Sequence, residues 1–348
     1  MSDTTTERAR ASAPTLHDVA RAAGVSLATA SRVLNGSTRK VAETYRERVE
    51  AAAAELGYTA NLSAQATARG TSAIIALLVA DIADPYFGQI AAGVARGADE
   101  AGLVVTIAIT ERDPEREARL VRALRGQRPR GLILAASRTT ESSDPVVQAE
   151  LDALASTGGR VVALGPGAGE VRSVIVDNAS GARALGLELG ARGYRDAIVL
   201  AAGEGVLTSD DRTSGFTEGF AAAGGSVSRV YRGGFTRESG SDLMTRAIAD
   251  GVEPGTLVFA ISDVVAIGAM SAVREAGRVV GSDIALCGFD DIPAGRDVTP
   301  GLTTVKVPLE DVGYLALRAA VDDEWDADAG PLPLEVVVRE STPLVPSA

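Results

Sequence analysis

Cysteine is nearly absent from this chain of 348 residues: Cys287 stands alone, so no internal disulfide can form. It sits in the apolar run IALC and reads as a thiol filling core space. Histidine is as scarce. His17 is the single one and lies near the amino end, which excludes a histidine-dependent catalytic triad in the rest of the chain. No Cys/His/Asp cluster has zinc spacing, and no GxxxxGK[ST] loop occurs. Paired acids such as Asp290 and Asp291 are too common in loops to mark a glycosidase. We therefore expect no catalytic residue, no metal and no cofactor. Long apolar runs are missing too; SAIIALLVA is far too short to span a bilayer. The opening MSDTTTERARASAP has no apolar stretch of the signal-peptide kind, so a cytoplasmic protein without a membrane partner is expected. Basic charge is also in deficit, with 34 Lys and Arg against 46 Asp and Glu. The deficit is uneven. Residues 1–70 hold nine basic and seven acidic side chains, and the remainder 25 and 39. Any polyanionic partner must meet the amino-terminal part.

That part carries the pattern of a small helical unit. Residues 1–13 are polar and without period, and read as a disordered leader. In TLHD, Thr15 and Asp18 have the spacing of a capping box, and Leu16, Val19, Ala20 and Ala23 follow at helical intervals. Gly24 ends this helix. Ser26 caps a second, running to about Asn35, with Ala30, Val33 and Leu34 inward. A third begins near Glu43, turns Val49, Ala52, Ala53 and Leu56 inward, and stops at Gly57. The unit spans residues 14–59, and residues 60–71 join it to the rest. Its second helix presents Ser26, Leu27, Ala28, Thr29, Ser31 and Arg32, the mixture of hydrogen-bonding and apolar tips that a helix needs in a DNA major groove. Arg32 and Asn35 can reach bases or phosphates, and Arg39, Lys40, Arg46 and Arg48 can hold the backbone.

Beyond Ser72 the texture changes to strand and helix in alternation. Short Val- and Ile-rich runs, AIIALLVA, LVVTIAI, GLILAA, RVVALG, SVIVD, DAIVL, TLVFAIS and DIALCGF, suit strands buried on both faces of a parallel sheet. Amphipathic stretches ending at glycine follow most of them, giving an α/β core. The pattern alone leaves open whether this is one large sheet or two. Ligands gather beyond the carboxyl ends of such strands, which singles out Asp81, Asp84, Gly165, Asp177, Ser262, Asp263 and Asp290.

The run TLHDVARAAGVSLATASRVLNGSTRKVAETYRERVEAAAAELGYTAN, Thr15 to Asn61, resembles the DNA-binding headpiece of the lactose-repressor (LacI) family of bacterial transcriptional regulators. The later motifs ADPYF, VDNASGA, DRTSGF, SDVVAIGA, GFDDIP and TPGLTTVKVP fall in the family's order. The resemblance implies a small all-α helix-turn-helix headpiece followed by a periplasmic-binding-protein-like α/β core of two subdomains. We expect these over 72–162 with 293–324, and over 163–292 with 325–342. It places DNA contacts at Thr15, Ser26, Leu27, Ala28, Thr29, Ser31, Arg32, Asn35 and Tyr58, with Leu27 and Ala28 the most discriminating. Further contacts fall in the hinge at Asn61, Ala64, Gln65 and Thr67. Thr67 stands where the family's hinges usually carry a leucine that wedges between base pairs, and a threonine is a smaller wedge that keeps a hydroxyl.

In the core, the resemblance implies an effector site at Asp84, Phe87, Asp177, Asn178, Arg212, Phe235, Ser262 or Asp263, and Asp290. Carboxylates accept hydroxyls, an arginine donates in a fixed fork, and an aromatic ring covers the apolar face of a sugar. Capping of the next helix competes for Asp177 and Asp263. The partners implied are a double-stranded, near-palindromic DNA operator, a small carbohydrate-like effector that releases the repressor, and a second copy of the chain. No leucine-heptad tail follows Thr342, so a dimer is expected. The alternatives are a corepressor mechanism answering to a nucleobase or another metabolite and, in a different class, a sugar-binding protein or enzyme without regulatory role.

Overall fold

The structure is a computed structural model that describes residues 14–34, 41–59, 71–136, 145–166, 171–326 and 330–345. The expected DNA contacts Asn35, Asn61, Ala64, Gln65 and Thr67 lie outside the described residues, as do Arg39 and Lys40. The chain divides into two compact units between Ser72 and Ala73.

The amino-terminal unit packs α1 (Leu16–Ala22), α2 (Leu27–Leu34) and α3 (Glu43–Leu56) against one another. Each starts and stops where local chemistry dictates. Thr15 caps α1 in a reciprocal box, its hydroxyl oxygen accepting from the Asp18 amide at 3.3 Å while the Asp18 carboxylate accepts from the Thr15 amide at 3.0 Å. Gly24 and Gly57 both take φ of +63°, the left-handed conformation that glycine adopts without steric cost. Val19, Ala20, Ala30, Val33, Val49 and Ala53 close the core. Mostly small side chains let short helices cross closely. Leu56, expected inward, is 38% exposed. The chain reverses at Gly57 with the Tyr58 amide donating to Ala53 O at 2.8 Å, and half-buried Tyr58 packs on the core instead.

The second unit has two parallel sheets. The first, in the order β2-β1-β3-β4-β5, comprises β1 (Ile74–Val79), β2 (Val104–Ile109), β3 (Gly131–Leu134), β4 (Arg160–Leu164) and β5 (Arg172–Val174). The second, in the order β7-β6-β8-β9, comprises β6 (Asp196–Ala202), β7 (Ser226–Gly233), β8 (Leu257–Ala260) and β9 (Ala285–Cys287). A short antiparallel pair, β10 (Thr304–Lys306) with β11 (Glu335–Val337), completes the strands. The helices are α4 (Pro85–Glu100), α5 (Pro114–Arg125), α6 (Pro145–Ser156), α7 (Asn178–Ala191), α8 (Leu207–Ala222), α9 (Arg237–Ala249), α10 (Asp263–Glu275), α11 (Ala294–Asp297) and α12 (Leu309–Val321).

Alternation explains the near-continuous apolar strands. In β1, Ile75, Leu77 and Val79 enter one cluster while Ala76 and Leu78 enter another on the opposite face. In β8, Leu257 and Phe259 are likewise divided from Val258 and Ala260. Both faces are covered, so both parities are apolar. The apolar pattern missed the short pair β10 and β11, and it missed β7. Among the described residues β7 is an edge strand paired with β6 alone, and most of its side chains face outward.

Strand pairing corrects the expected subdomain edges. The division at 162/163 would cut β4, and β5 still pairs with β4 in the first sheet, so the first crossover follows Val174. The return at 292/293 is also too early. Backbone bridges join Cys287 to Thr303 and Asp290 to Lys306, keeping the chain with the second sheet until α12 packs on α4 and the first sheet. Short, irregular crossovers carry no periodicity, which is why sequence pattern placed them poorly.

Candidate DNA-reading helix and effector cleft

On α2, Ala30 and Val33 turn inward while Leu27, Ala28 and Arg32 remain exposed and Thr29 and Ser31 are half-buried. Ser26 caps the helix, its Oγ accepting from the Thr29 amide at 3.1 Å and lying 2.8 Å from Thr29 Oγ1. The two hydroxyls are thus oriented before any partner arrives. Leu27 is 40% exposed at the first turn, an apolar tip with no intramolecular use, suited to a thymine methyl. Arg32 makes no ion pair or hydrogen bond with the described residues, and its guanidinium is available. Two other expected phosphate holders are occupied. Arg48 donates to the carbonyls of Ala23 and Gly24, tying α3 to the turn between α1 and α2. Arg46 lies 3.6 Å from Glu43 and 4.0 Å from Glu50. Thr15 is engaged in its capping box.

In the core, the expected cleft residues assemble around Arg212. Helix α8 lies almost backbone to backbone on α7: a Cβ at Gly215 would stand 2.1 Å from Ala179 O, and one at Gly219 2.0 Å from Arg183 O. Only glycine permits that approach, and it brings Arg212 to Asn178, whose Oδ1 accepts from Arg212 Nε at 2.8 Å. Nη1 donates to Ile261 O at 2.7 Å, and Nη2 donates to Asp290 Oδ1 at 2.8 Å. The guanidinium also lies 3.9 Å from the centre of the Phe289 ring. Both partners of the ion pair are buried, with side chains 3% and 4% exposed. Burial nevertheless pushes the Asp290 carboxyl up to about 6, against the opposing pull of Arg212. Asp290 and Asp291 hold positive φ of 111° and 56°, a backbone cost carried at the cleft wall.

Other expected residues have different tasks. Asp84 caps α4, accepting from the Tyr86 amide at 2.9 Å, and burial raises its pKa. Asp177 caps α7 through the Ser180 amide at 3.0 Å and still lines the cleft. Asp263 is corrected: it is fully buried, accepting from the Ile292 amide at 2.9 Å and from Thr304 Oγ1 at 2.7 Å. It braces the 288–292 loop. Ser262 is the cap of α10. Phe87 is 2% exposed and faces the core; its neighbour Tyr86 lines the cleft instead. Phe235 is half-buried with the Arg112 guanidinium 4.8 Å above its ring.

A cavity of about 190 Å³ opens at the carboxyl ends of the strands, with Tyr86, Leu164 and Gly165 on one side and Asn178, Thr208 and Asp211 on the other. Tyr86, Arg112, Thr208 and Asp211 were not among the expected site residues. Tyr86 and Asp211 stood inside ADPYF and DRTSGF, and Arg112 follows a strand, so the rule that singles out strand ends would have found it. No described group of His, Cys, Asp and Glu can hold a metal, and no helix among the described residues is long and apolar enough to cross a membrane.

A capped helix with an open outer face in one unit, and an α/β core with a lined cleft in the other, are the parts of a DNA-binding regulator with a ligand sensor. The family model for bacterial regulatory proteins of the lacI family matches residues 15–61, and that for a periplasmic binding protein-like domain matches residues 188–342. The HTH-type transcriptional regulator DegA of Bacillus subtilis is 30% identical over 94% of this chain and 98% of its own length. The ribose operon repressor of Halalkalibacterium halodurans is 31% identical over 94% and 97%. Among solved structures, the lac repressor dimer bound to operator and the anti-inducer ONPF superposes with a TM-score of 0.80 at 27% identity, covering 95% of this chain and 99% of that one. The chain belongs to the lacI family of bacterial regulatory proteins.

Proposed function

We propose that the chain is a sequence-specific transcriptional repressor that binds a near-palindromic DNA operator as a homodimer and is released by a small carbohydrate-like effector. The exposed face of Leu27, Ala28 and Arg32 on a capped α2 carries the reading: these side chains have no partner in the described protein and the geometry of groove contacts. One headpiece reads one half-site, so a two-fold operator calls for a two-fold protein. In the core, acceptor oxygens of Asp177 and Asp211 and the Tyr86 hydroxyl suit a hydroxylated ligand. The sugar named for the H. halodurans relative and the operator bound by the lac repressor dimer support the same reading.

The test is titration of purified protein against near-palindromic and scrambled duplexes at about 0.15 M salt, where specific sites bind at least about a thousandfold tighter than nonspecific DNA. Light scattering of the complex gives the stoichiometry, expected as two chains per operator. Equal affinity for both duplexes overturns the proposal. A sugar panel added to the bound complex then reports release.

A further inference from the structure

Two arginines lie within electrostatic reach of Tyr86, which lines the cleft, and their surroundings differ. Arg212 spends four of its five N–H groups on Asn178, Ile261 and Asp290, and Asp290 neutralises it. Arg112 spends none: its guanidinium has no hydrogen bond or ion pair with the described residues. The adjacent carboxylate that would quench it, Glu111, is held 3.4 Å from Arg116, which is itself fixed by Nε donating to Ile109 O at 2.7 Å. Asp84 and Asp81 lie within electrostatic reach and temper its charge, but neither forms an ion pair or hydrogen bond with it, so its donors stay free; Asp84 accepts from the Tyr86 amide and Asp81 from the Ala83 amide.

The presentation of Arg112 is built, and at a cost. Glu111 and Arg112 both have positive φ, 55° and 57°, a conformation that costs non-glycine residues about 1 kcal/mol or more each. It places the guanidinium, carried by the β2–α5 loop of the first sheet, over Phe235, carried by the β7–α9 loop of the second. The ring orients the cation without using any of its donors. A planar fork of free N–H groups fits a carboxylate in bidentate fashion.

We propose that Arg112 sets effector specificity, by selecting a hydroxylated ligand that carries a carboxylate, as a uronic or aldonic acid does. The inference rests on the reading of this cleft as the effector site. The hydroxyl-bearing body meets Asp177, Asp211 and Tyr86, and the carboxylate pairs with Arg112 at the edge of Phe235. A single carboxylate is matched; a more highly charged group would meet the uncompensated acids around it.

Calorimetric titration of the full chain with matched pairs tests this: D-glucose against D-glucuronate and D-gluconate, and D-galactose against D-galacturonate and D-galactonate. At least one acid should bind about tenfold or more tighter than its neutral counterpart. Arg112→Gln should erase that preference, and Arg112→Lys, which keeps the charge but loses the fork, should retain part of it. Ligand-free melting temperatures establish that both variants fold. A neutral sugar binding as tightly as its acids, or a preference that survives Arg112→Gln, overturns the role of Arg112 and leaves the effector-site reading standing. Failure of every sugar and acid to bind the wild-type chain overturns both.

Discussion

Both units cap their helices locally, but the polar groups at their candidate sites are held differently. In the amino-terminal unit the helix-capping bonds are local: Thr15 with Asp18 and Ser26 with Thr29, each three residues apart. In the core, Arg212 bonds to groups 34, 49 and 78 residues away, and its side chain and that of Asp290 are buried. A surface that reads DNA receives its partners from the DNA, so its own side chains need only be oriented. A sensor that must recognise a small molecule fixes its polar groups from several elements at once, because an unpaired buried group is costly.

Arg212→Ala breaks the comparison at its strongest point and should have the largest effect. It leaves Asp290 buried without its cation, and loss of one partner from a buried pair costs about 3–5 kcal/mol. Urea denaturation should show the core transition moved to lower denaturant while headpiece helix melting is unchanged. A core loss below about 1 kcal/mol would mean that the pair does not hold the cleft. The same result makes this variant a poor probe of ligand contact, since any loss of binding would be mixed with loss of structure.

Acid should separate the units by sign. Asp290 titrates near 6 in the folded core, above the ordinary value of 3.8, so the folded state holds a proton that the unfolded chain has released. Its contribution is fully present below about pH 4 and is lost as pH rises through about 6. Asp18 in the headpiece is the reverse: hydrogen bonds from Thr15 hold its pKa below the ordinary value, so its contribution is present above that value and lost as pH falls through the lowered one. Between pH 7 and 5 the core should gain stability while Asp18 changes nothing in the headpiece. Denaturation midpoints across that range measure it, and Asp290→Asn should flatten the core's slope. A core that weakens between pH 7 and 5 would contradict the burial of Asp290.

The same contrast governs what the sequence made legible. Headpiece structure is local, so Thr15, Ser26, Gly24 and Gly57 marked the helix boundaries directly, and only Leu56 was turned the wrong way. In the core, strands buried on both faces announced themselves, whereas β7, an edge strand with an outward face, and the three-residue β10 and β11 did not. Arg212, Asn178 and Asp290 were brought together as expected. What could not be read was occupancy: that Arg212 has four of its five N–H groups engaged, Asp263 braces a loop, and Arg112 has free donors. These depend on partners tens of residues away, and no local pattern encodes them.

Arg32→Ala sharpens the comparison from the DNA side. Arg32 is exposed and unpaired with the described residues, so its loss should leave headpiece stability within about 0.5 kcal/mol while weakening operator binding by about 1–3 kcal/mol if it reads a base. Binding measured over a salt series separates the roles. A phosphate contact lowers affinity for all sequences and reduces the salt slope by about one; a base contact relaxes specificity at one position.

Thr15→Ala is the smallest change and asks whether the headpiece's local bonds contribute measurably. It removes the hydroxyl that accepts from the Asp18 amide and donates to Asp18 Oδ2 at 2.7 Å, leaving an amide of the first turn uncapped and Asp18 with one tie fewer. A cap of this kind contributes about 1 kcal/mol. Thermal melting of α1 to α3, followed by helical circular dichroism, should fall accordingly, and Thr15→Ser should restore it because serine reproduces the cap. The Asp18 pKa should rise toward its ordinary value in the alanine variant, which carboxyl chemical shifts across an acid titration report. Thr15 is also an expected DNA contact, and serine separates the two roles. If Thr15→Ser recovers stability and operator affinity together, the hydroxyl suffices for both. If stability returns while affinity does not, the threonine methyl meets the DNA.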